Sequence, residues 1–263
     1  MVVPFQQRVF AAMPASLPRM AQVVGYSTSA AMTPETVERL VVETESAIGE
    51  PIRHTIRKAF PQPLDRSIAA EVELAWKASK RVLLLSNKLS RPNLVHITAM
   101  RLPQCKGAAF PADLGIFSIN IHSTGPRALD VLTRLQTYAT ISGAFMARAD
   151  SPGWEESVRS VCQDQGVASE ALFRGIRFTS EAGWAISERI GWGTYIGARC
   201  ARAFGTLTAP EVIEQHIDGG ATLWVTKDPL DLRNKDHFCR HAAILNELAN
   251  HWHSGTKMSE LRQ

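Results

Sequence analysis

The chain has 263 residues and a formal net charge of +4, with 45% hydrophobic and 21% charged residues. This composition is typical of a globular protein and excludes a collagen-like, low-complexity or wholly disordered chain. No apolar run reaches the roughly 18 residues that a membrane-spanning helix needs.

The N-terminal segment differs in composition from the rest of the chain. Residues 1–34 contain no Asp or Glu, and their only charged residues are Arg8 and Arg19. An acid-poor leader that carries arginine and serine is typical of an organellar transit peptide, although Pro4, Pro14 and Pro18 would interrupt an amphipathic helix. We therefore expect 1–32 to be an irregular or removable arm, and 33–263 to form a single α+β domain.

Five segments have helical patterns. The first has a suitable N-cap in Thr33, and Pro34 suits the first helical position. The last has the clearest apolar stripe, which includes Phe238, Leu245 and Leu248. The predicted helices span 33–48, 64–80, 127–147, 154–165 and 235–252.

Short β-rich segments lie between these helices. In the best of them, Phe117, Ile119 and Ile121 alternate with polar residues, which predicts a strand with one buried face. The predicted strands span 81–87, 94–100, 115–123, 175–179, 192–196 and 221–226. Helices interspersed with short alternating strands predict an α+β fold, in which an antiparallel or mixed sheet packs with helices and the C-terminal helix closes the structure.

Charge is distributed unevenly along the chain. Residues 53–91 contain nine Lys and Arg against three acids, whereas 211–236 contain six acids against three basic residues. These segments predict two faces of opposite sign, one of which is available to a charged partner.

Sequence motifs favour a protein without catalytic activity. The chain contains no P-loop and no GxSxG nucleophile elbow. The glycines at 191, 193 and 197 have GxGxxxG spacing, which differs from the dinucleotide-binding fingerprint. We therefore expect no catalytic residues and no cofactor.

No metal site is expected either. His237 and His241 have the i, i+4 spacing of a zinc pair, but Phe238 occupies the position where a metalloprotease needs a glutamate. The four cysteines form no CxxC pair, which excludes a zinc ribbon or finger and predicts reduced thiols.

A series of motifs in the second half resembles a known family. The motifs are FSINIHSTGPRAL (117–129), GWGTYIG (191–197), GGATLWVT (219–226), KDPLD (227–231), NKDH (234–237) and AAILNEL (242–248). Together they resemble the immunity protein 52 family of bacterial polymorphic-toxin systems. The resemblance implies a cytoplasmic antitoxin that binds and neutralises a cognate secreted toxin, here a nuclease effector of type VI or contact-dependent secretion.

The same region supplies candidate toxin-binding residues. Asp228, Asp231 and Asp236 belong to a short acidic loop before the last predicted helix, and Trp192 and Tyr195 are large amphipathic side chains on a neighbouring predicted strand. Because a nuclease has a positive substrate channel, carboxylates on an inhibitor are able to mimic phosphate there. We therefore expect these five residues to contact the toxin.

The basic segment favours an alternative function. An imported mitochondrial α+β protein would use the 53–91 face to bind RNA or an acidic partner, and its import would explain the acid-poor leader. This alternative does not account for the motifs in the second half.

Overall fold

The computed structural model describes residues from Ala21 to Glu247 in several stretches. These are 21–57, 60–78, 82–89, 94–102, 114–122, 126–150, 176–179, 184–187, 190–198, 201, 207–228, 234, 236–237, 239–241, 243–244 and 247.

These stretches contain twelve strands, four α-helices and one short 3₁₀ turn. The strands are β1 (Ala21–Thr28), β2 (His54–Arg57), β3 (Phe60–Pro63), β4 (Val82–Ser86), β5 (Val95–Leu102), β6 (Leu114–Ile121), β7 (Met146–Asp150), β8 (Ile176–Thr179), β9 (Trp184–Ser187), β10 (Gly193–Ile196), β11 (Val212–Gln215) and β12 (Ala221–Trp224). The helices are α1 (Pro34–Ile48), α2 (Ile68–Lys77), α3 (Pro126–Thr133) and α4 (Leu135–Ser142), with the 3₁₀ turn at Ser29–Ala31.

Ten strands form one open sheet in the order β11-β12-β10-β7-β1-β6-β5-β4-β2-β3, and β8 pairs with β9 separately. Every strand pair in the described residues is antiparallel. The predicted α+β class is therefore confirmed, with an antiparallel sheet. No helix among the described residues is long and apolar enough to cross a bilayer.

Strand β1 lies in the interior of the sheet and corrects the predicted N-terminal arm. It pairs with β6 along its whole length and with β7 on its other side. The expectation that 1–32 is irregular is therefore wrong for 21–31, which form β1 and the 3₁₀ turn. The segment lacks charge because seven of its eight strand residues are at least partly buried, six of them fully. Residues 1–20 lie outside the described stretches.

The helices cover the sheet face that carries Val23, Phe117 and Ile119. Helices α3 and α4 contact β1, and α1 contacts the other three helices. Phe117 of β6 packs against Tyr138 of α4, with 6.4 Å between the ring centroids, and both side chains are completely buried. Burial raises the pKa of Tyr138 to about 12. The alternation predicted for β6 thus identifies the core face correctly.

Helix α1 confirms the helix predicted at 33–48. The Thr33 side chain accepts a hydrogen bond from the Thr36 backbone N–H at 3.2 Å, which satisfies one of the free donors of the first turn. Gly49 ends the helix in the left-handed conformation, with φ of 67°.

The prediction of a single helix at 127–147 is wrong. The chain forms two shorter helices, α3 and α4, and Gly143 terminates the second with φ of 57°. The next residues enter β7, whose five residues are all buried between β1 and β10. Strand pairing on both sides therefore overrides the helical preference of this alanine-rich segment.

The C-terminal segment is described at eight positions between 236 and 247, and all of them are helical. Ile244 is buried, which agrees with a helix that packs on the core. Phe238, Leu245 and Leu248, which the sequence places on its inner face, lie outside the described residues. The helix predicted at 154–165 also lies outside them.

Gly25 in β1 provides a test of this core. A Cβ atom at this position would lie 2.0 Å from Cε1 of Phe117, whose ring is completely buried. We expect Gly25→Ala to lower the free energy of unfolding by about 1–3 kcal/mol, because Phe117 has no room to move. Urea denaturation measures this change.

The double variant Gly25→Ala/Phe117→Leu is the control for this interpretation. The smaller leucine leaves space for the new methyl group, so the double variant should lose less stability than the sum of the two single changes. Additive losses would contradict a steric contact between these residues.

Candidate partner-binding surface

The β11–β12 hairpin forms one edge of the sheet and contains much of the acidic segment. The backbone N–H of His216 donates to the Gly220 carbonyl at 2.9 Å, and that of Gly219 donates to the His216 carbonyl at 3.0 Å. These bonds close a three-residue loop in which Gly219 has φ of 81°, a conformation that favours glycine. Asp218 stabilises the loop by accepting a hydrogen bond from the Gly220 N–H.

Side chains fix this hairpin to the rest of the protein. The His216 ring stacks on Tyr195 of β10, with 5.8 Å between the centroids. Its Nδ1 lies 2.9 Å from Nε2 of Gln136 in α4, and its Nε2 lies 2.8 Å from the Thr222 hydroxyl oxygen. The Tyr195 hydroxyl donates to Asp218 at 3.3 Å. The position of the loop is therefore fixed by contacts with both the sheet and the helical layer.

The outer surface of the hairpin combines apolar and acidic side chains. Ile217 at the loop tip is fully exposed, and Ile213 of β11 is 40% exposed. Glu211, Glu214 and Asp228 are also exposed. Within the described part of the chain, Glu214 and Asp228 form no ion pair, so their charges are available to a partner. Exposed apolar side chains beside unneutralised charge are typical of a protein-binding surface.

A groove between α1 and α4 continues this surface. It has a volume of about 760 Å³ and is lined by Glu38, Arg39, Val42, Glu43, Gln136, Thr137, Thr140 and Ile141. Val42 is 58% exposed on its rim. Because Gln136 lines the groove and also contacts His216, the groove and the hairpin are adjacent. We call the hairpin and this groove together the acidic surface.

The predicted aromatic contacts, Trp192 and Tyr195, are not part of the exposed surface. Trp192 is buried, and its indole N–H donates to the Thr226 carbonyl at 2.9 Å. Its ring lies 5.0 Å from that of Trp224. Tyr195 is also buried and positions the hairpin loop, as described above. The expectation that these two rings contact a partner directly is therefore wrong, because both are used internally.

Unlike these two rings, the predicted acidic residues are exposed wherever the structure describes them. Asp228 is exposed at the end of the hairpin, where its carbonyl accepts a hydrogen bond from the Thr226 hydroxyl. Asp236 is exposed at the start of the C-terminal helical segment, where its negative charge interacts favourably with the positive end of the helix dipole. Asp231 lies outside the described residues. Ile213, Ile217 and Val42 are not identifiable from sequence, because an isolated apolar residue gives no sign that it is exposed.

The histidine pair of the C-terminal segment does not form an open metal site. His241 is buried, and its Nε2 lies 3.2 Å from the Ile190 carbonyl. Among the described residues, no group of three or more His, Cys, Asp or Glu side chains is arranged to hold a metal ion.

Ion pairs partly neutralise the basic segment 53–91. Three of its cations pair with nearby carboxylates: Arg66 with Asp65 at 3.0 Å, Lys77 with Glu73 at 2.9 Å and Lys88 with Glu50 at 3.2 Å. Asp65 and Glu73 are already counted among the three acids of this segment, so only the half-buried Lys88–Glu50 pair brings in a carboxylate from outside it. Surface ion pairs of this kind add little stability. Lys58, Lys80, Arg81 and Arg91 of the same segment lie outside the described residues, and the basic face remains an alternative prediction.

Comparison with known proteins shows likeness at the level of the fold. The chain is similar to the Pseudomonas aeruginosa T6SS protein PA0821, with a TM-score of 0.50 and 15% sequence identity. The match covers 89% of this chain and 75% of that one. No protein-family model and no curated protein matches the sequence significantly. The resemblance to the immunity protein 52 family therefore remains an expectation.

The structural role of Trp192 is testable. Trp192→Phe removes the indole N–H and leaves the buried Thr226 carbonyl without this donor, so we expect a loss of about 1–3 kcal/mol in unfolding free energy. The matched control is Trp76→Phe, because the Trp76 indole N–H has no hydrogen-bond partner among the described residues. Equal losses in chemical denaturation would contradict a specific role for the Trp192 hydrogen bond.

Proposed function

We propose that this protein is a non-catalytic immunity protein of a type VI secretion system, which binds and neutralises a cognate toxin. The observation that carries the proposal is the edge hairpin, where Ile213 and Ile217 are exposed beside the carboxylates of Glu214 and Asp228. The fold-level likeness to a T6SS protein and the resemblance to the immunity protein 52 family support the same class.

The inhibitor would act by covering the toxin rather than by altering it chemically. In such an interface the exposed isoleucines lose water and slow dissociation, whereas the carboxylates attract the toxin and accelerate association. A nuclease toxin has a positive substrate channel, so Glu214 and Asp228 would occupy positions that phosphates otherwise take.

The hairpin suits this task because it is already ordered before binding. Tyr195, His216 and Gln136 link the loop to β10 and α4. A surface fixed in this way loses little conformational freedom when a partner binds, which favours tight inhibition. An antitoxin must also be present where the toxin acts, and for a nuclease effector we propose the cytoplasm.

Co-expression tests the proposal directly. The candidate toxin is the product of the gene adjacent to the one that encodes this protein, and it is expressed with and without this protein in a sensitive bacterial host. We expect growth only with the intact inhibitor, and a stoichiometric complex of the two purified proteins. Toxicity that persists in the presence of this protein, with no complex between the purified proteins, would contradict the proposal.

Charge reversal tests the role of the acidic surface. We expect Glu214→Lys/Asp228→Lys to slow association with the toxin by about tenfold or more at low ionic strength, because electrostatic steering is reversed. The difference should shrink at high salt, where screening is strong. Stopped-flow association rates measure both effects.

The control variant is Asp65→Lys/Glu73→Lys, which changes the net charge equally at exposed positions outside the acidic surface. It should associate almost as fast as the unmodified protein. If the two double variants are slowed equally, net charge and not this surface determines the rate.

A further inference from the structure

The two edges of the open sheet differ in the backbone groups that they present. At the β3 edge, the Leu64 N–H donates to the Arg53 carbonyl at 2.8 Å. Antiparallel alternation then directs the Gln62 backbone toward β2 and directs Pro61 and Pro63 outward. Because proline has no N–H, these two outward positions offer no donor, and an added strand is disfavoured at this edge.

The β11 edge retains its outward donors. The His216 N–H bonds to the Gly220 carbonyl, so His216 and Glu214 direct their backbone groups toward β12. By the same alternation, Ile213 and Gln215 direct both N–H and C=O away from the sheet. This edge contains no proline, and Ile213, Glu214 and Gln215 are all exposed. The backbone at this edge is thus available to pair with another strand.

The charge of the β11 edge restricts what pairs with it. Glu211 lies two residues before Ile213 and Glu214 directly after it, and both are exposed. One Glu211 carboxylate oxygen accepts a hydrogen bond from the Lys227 backbone N–H at 3.1 Å, and Asp228 lies close in sequence to the end of the hairpin. A second copy of this chain pairing through β11 would bring these carboxylates against each other, and like charges across a strand pair are destabilising. An extended segment that carries Lys or Arg would instead form favourable cross-strand pairs.

We propose that a basic extended segment of the toxin pairs with the free edge of β11 and adds an eleventh strand to the sheet. This inference rests on the proposed function and specifies how the partner is recognised. Backbone hydrogen bonds to Ile213 and Gln215 would supply affinity, and pairing of basic side chains with Glu211 and Glu214 would supply specificity.

Two substitutions at one position separate the backbone contact from the side-chain contact. Gln215→Pro removes an outward N–H, whereas Gln215→Ala removes the same side chain and retains the N–H. Neither change removes a donor that is directed at β12. We expect Gln215→Ala to bind the adjacent-gene toxin like the unmodified protein, and Gln215→Pro to bind about tenfold more weakly. Circular dichroism melts establish that both variants fold.

Hydrogen exchange on the unmodified protein gives a second measurement that does not depend on any variant. The Ile213 and Gln215 amides should exchange at least about tenfold more slowly in the toxin complex than in the free protein. The Glu214 amide, which faces β12, is the internal control and should change less. This measurement decides the question if Gln215→Pro does not fold.

The outcomes distinguish this inference from the proposed function. A toxin complex that leaves the Ile213 and Gln215 amides unprotected would overturn strand addition and leave the immunity function intact. Failure of the unmodified protein to form any complex would overturn both. A mass that doubles with protein concentration, and does not double for Gln215→Pro, would identify a second copy as the occupant and overturn the inference.

Discussion

The fold depends on strand β1, which is hydrogen-bonded along both of its sides. Its partners β6 and β7 each connect to the remaining strands of one half of the sheet, so loss of β1 would divide the sheet and create two new edges. Helices α3 and α4 also pack on β1. Gly25 is needed there because the Phe117 ring fills the space that a side chain would take. A sequence segment that resembles a leader is therefore a central structural element.

Local patterns predict those elements whose stability is determined by their own residues. The cap at Thr33 and the alternation through Phe117 and Ile119 identify α1 and β6 almost to the residue. Strand β7 was not predictable, because its sequence, MARAD, has no alternation when all five residues are buried. Its extended conformation is imposed by pairing with β1 and β10, two strands that are distant in sequence. Strand β11 is short and exposed, so hydrophobicity gives no strong signal for it.

The acidic segment was predictable as a candidate site, whereas its apolar contacts were not. Sequence identifies Trp192 and Tyr195 as large amphipathic rings, but the polar groups of such rings bond equally well to a partner or to the protein itself. Here Thr226 and Asp218 accept those hydrogen bonds, and the rings are buried. The exposed apolar side chains of the hairpin are Ile213 and Ile217, whose exposure follows from their place on an edge strand and a loop tip.

An open sheet must limit unwanted pairing at two edges, and this protein does so in two different ways. Proline removes the outward donors of β3, which disfavours any added strand whatever its charge. Carboxylates on β11 leave the donors in place and disfavour only strands that are acidic, including a second copy of the chain. The protection by carboxylates is selective, because it leaves the β11 edge able to pair with a basic strand. The chain is 15% identical to its structural neighbour, and a shared fold does not determine function. A binding function is therefore best argued from the difference between these two edges.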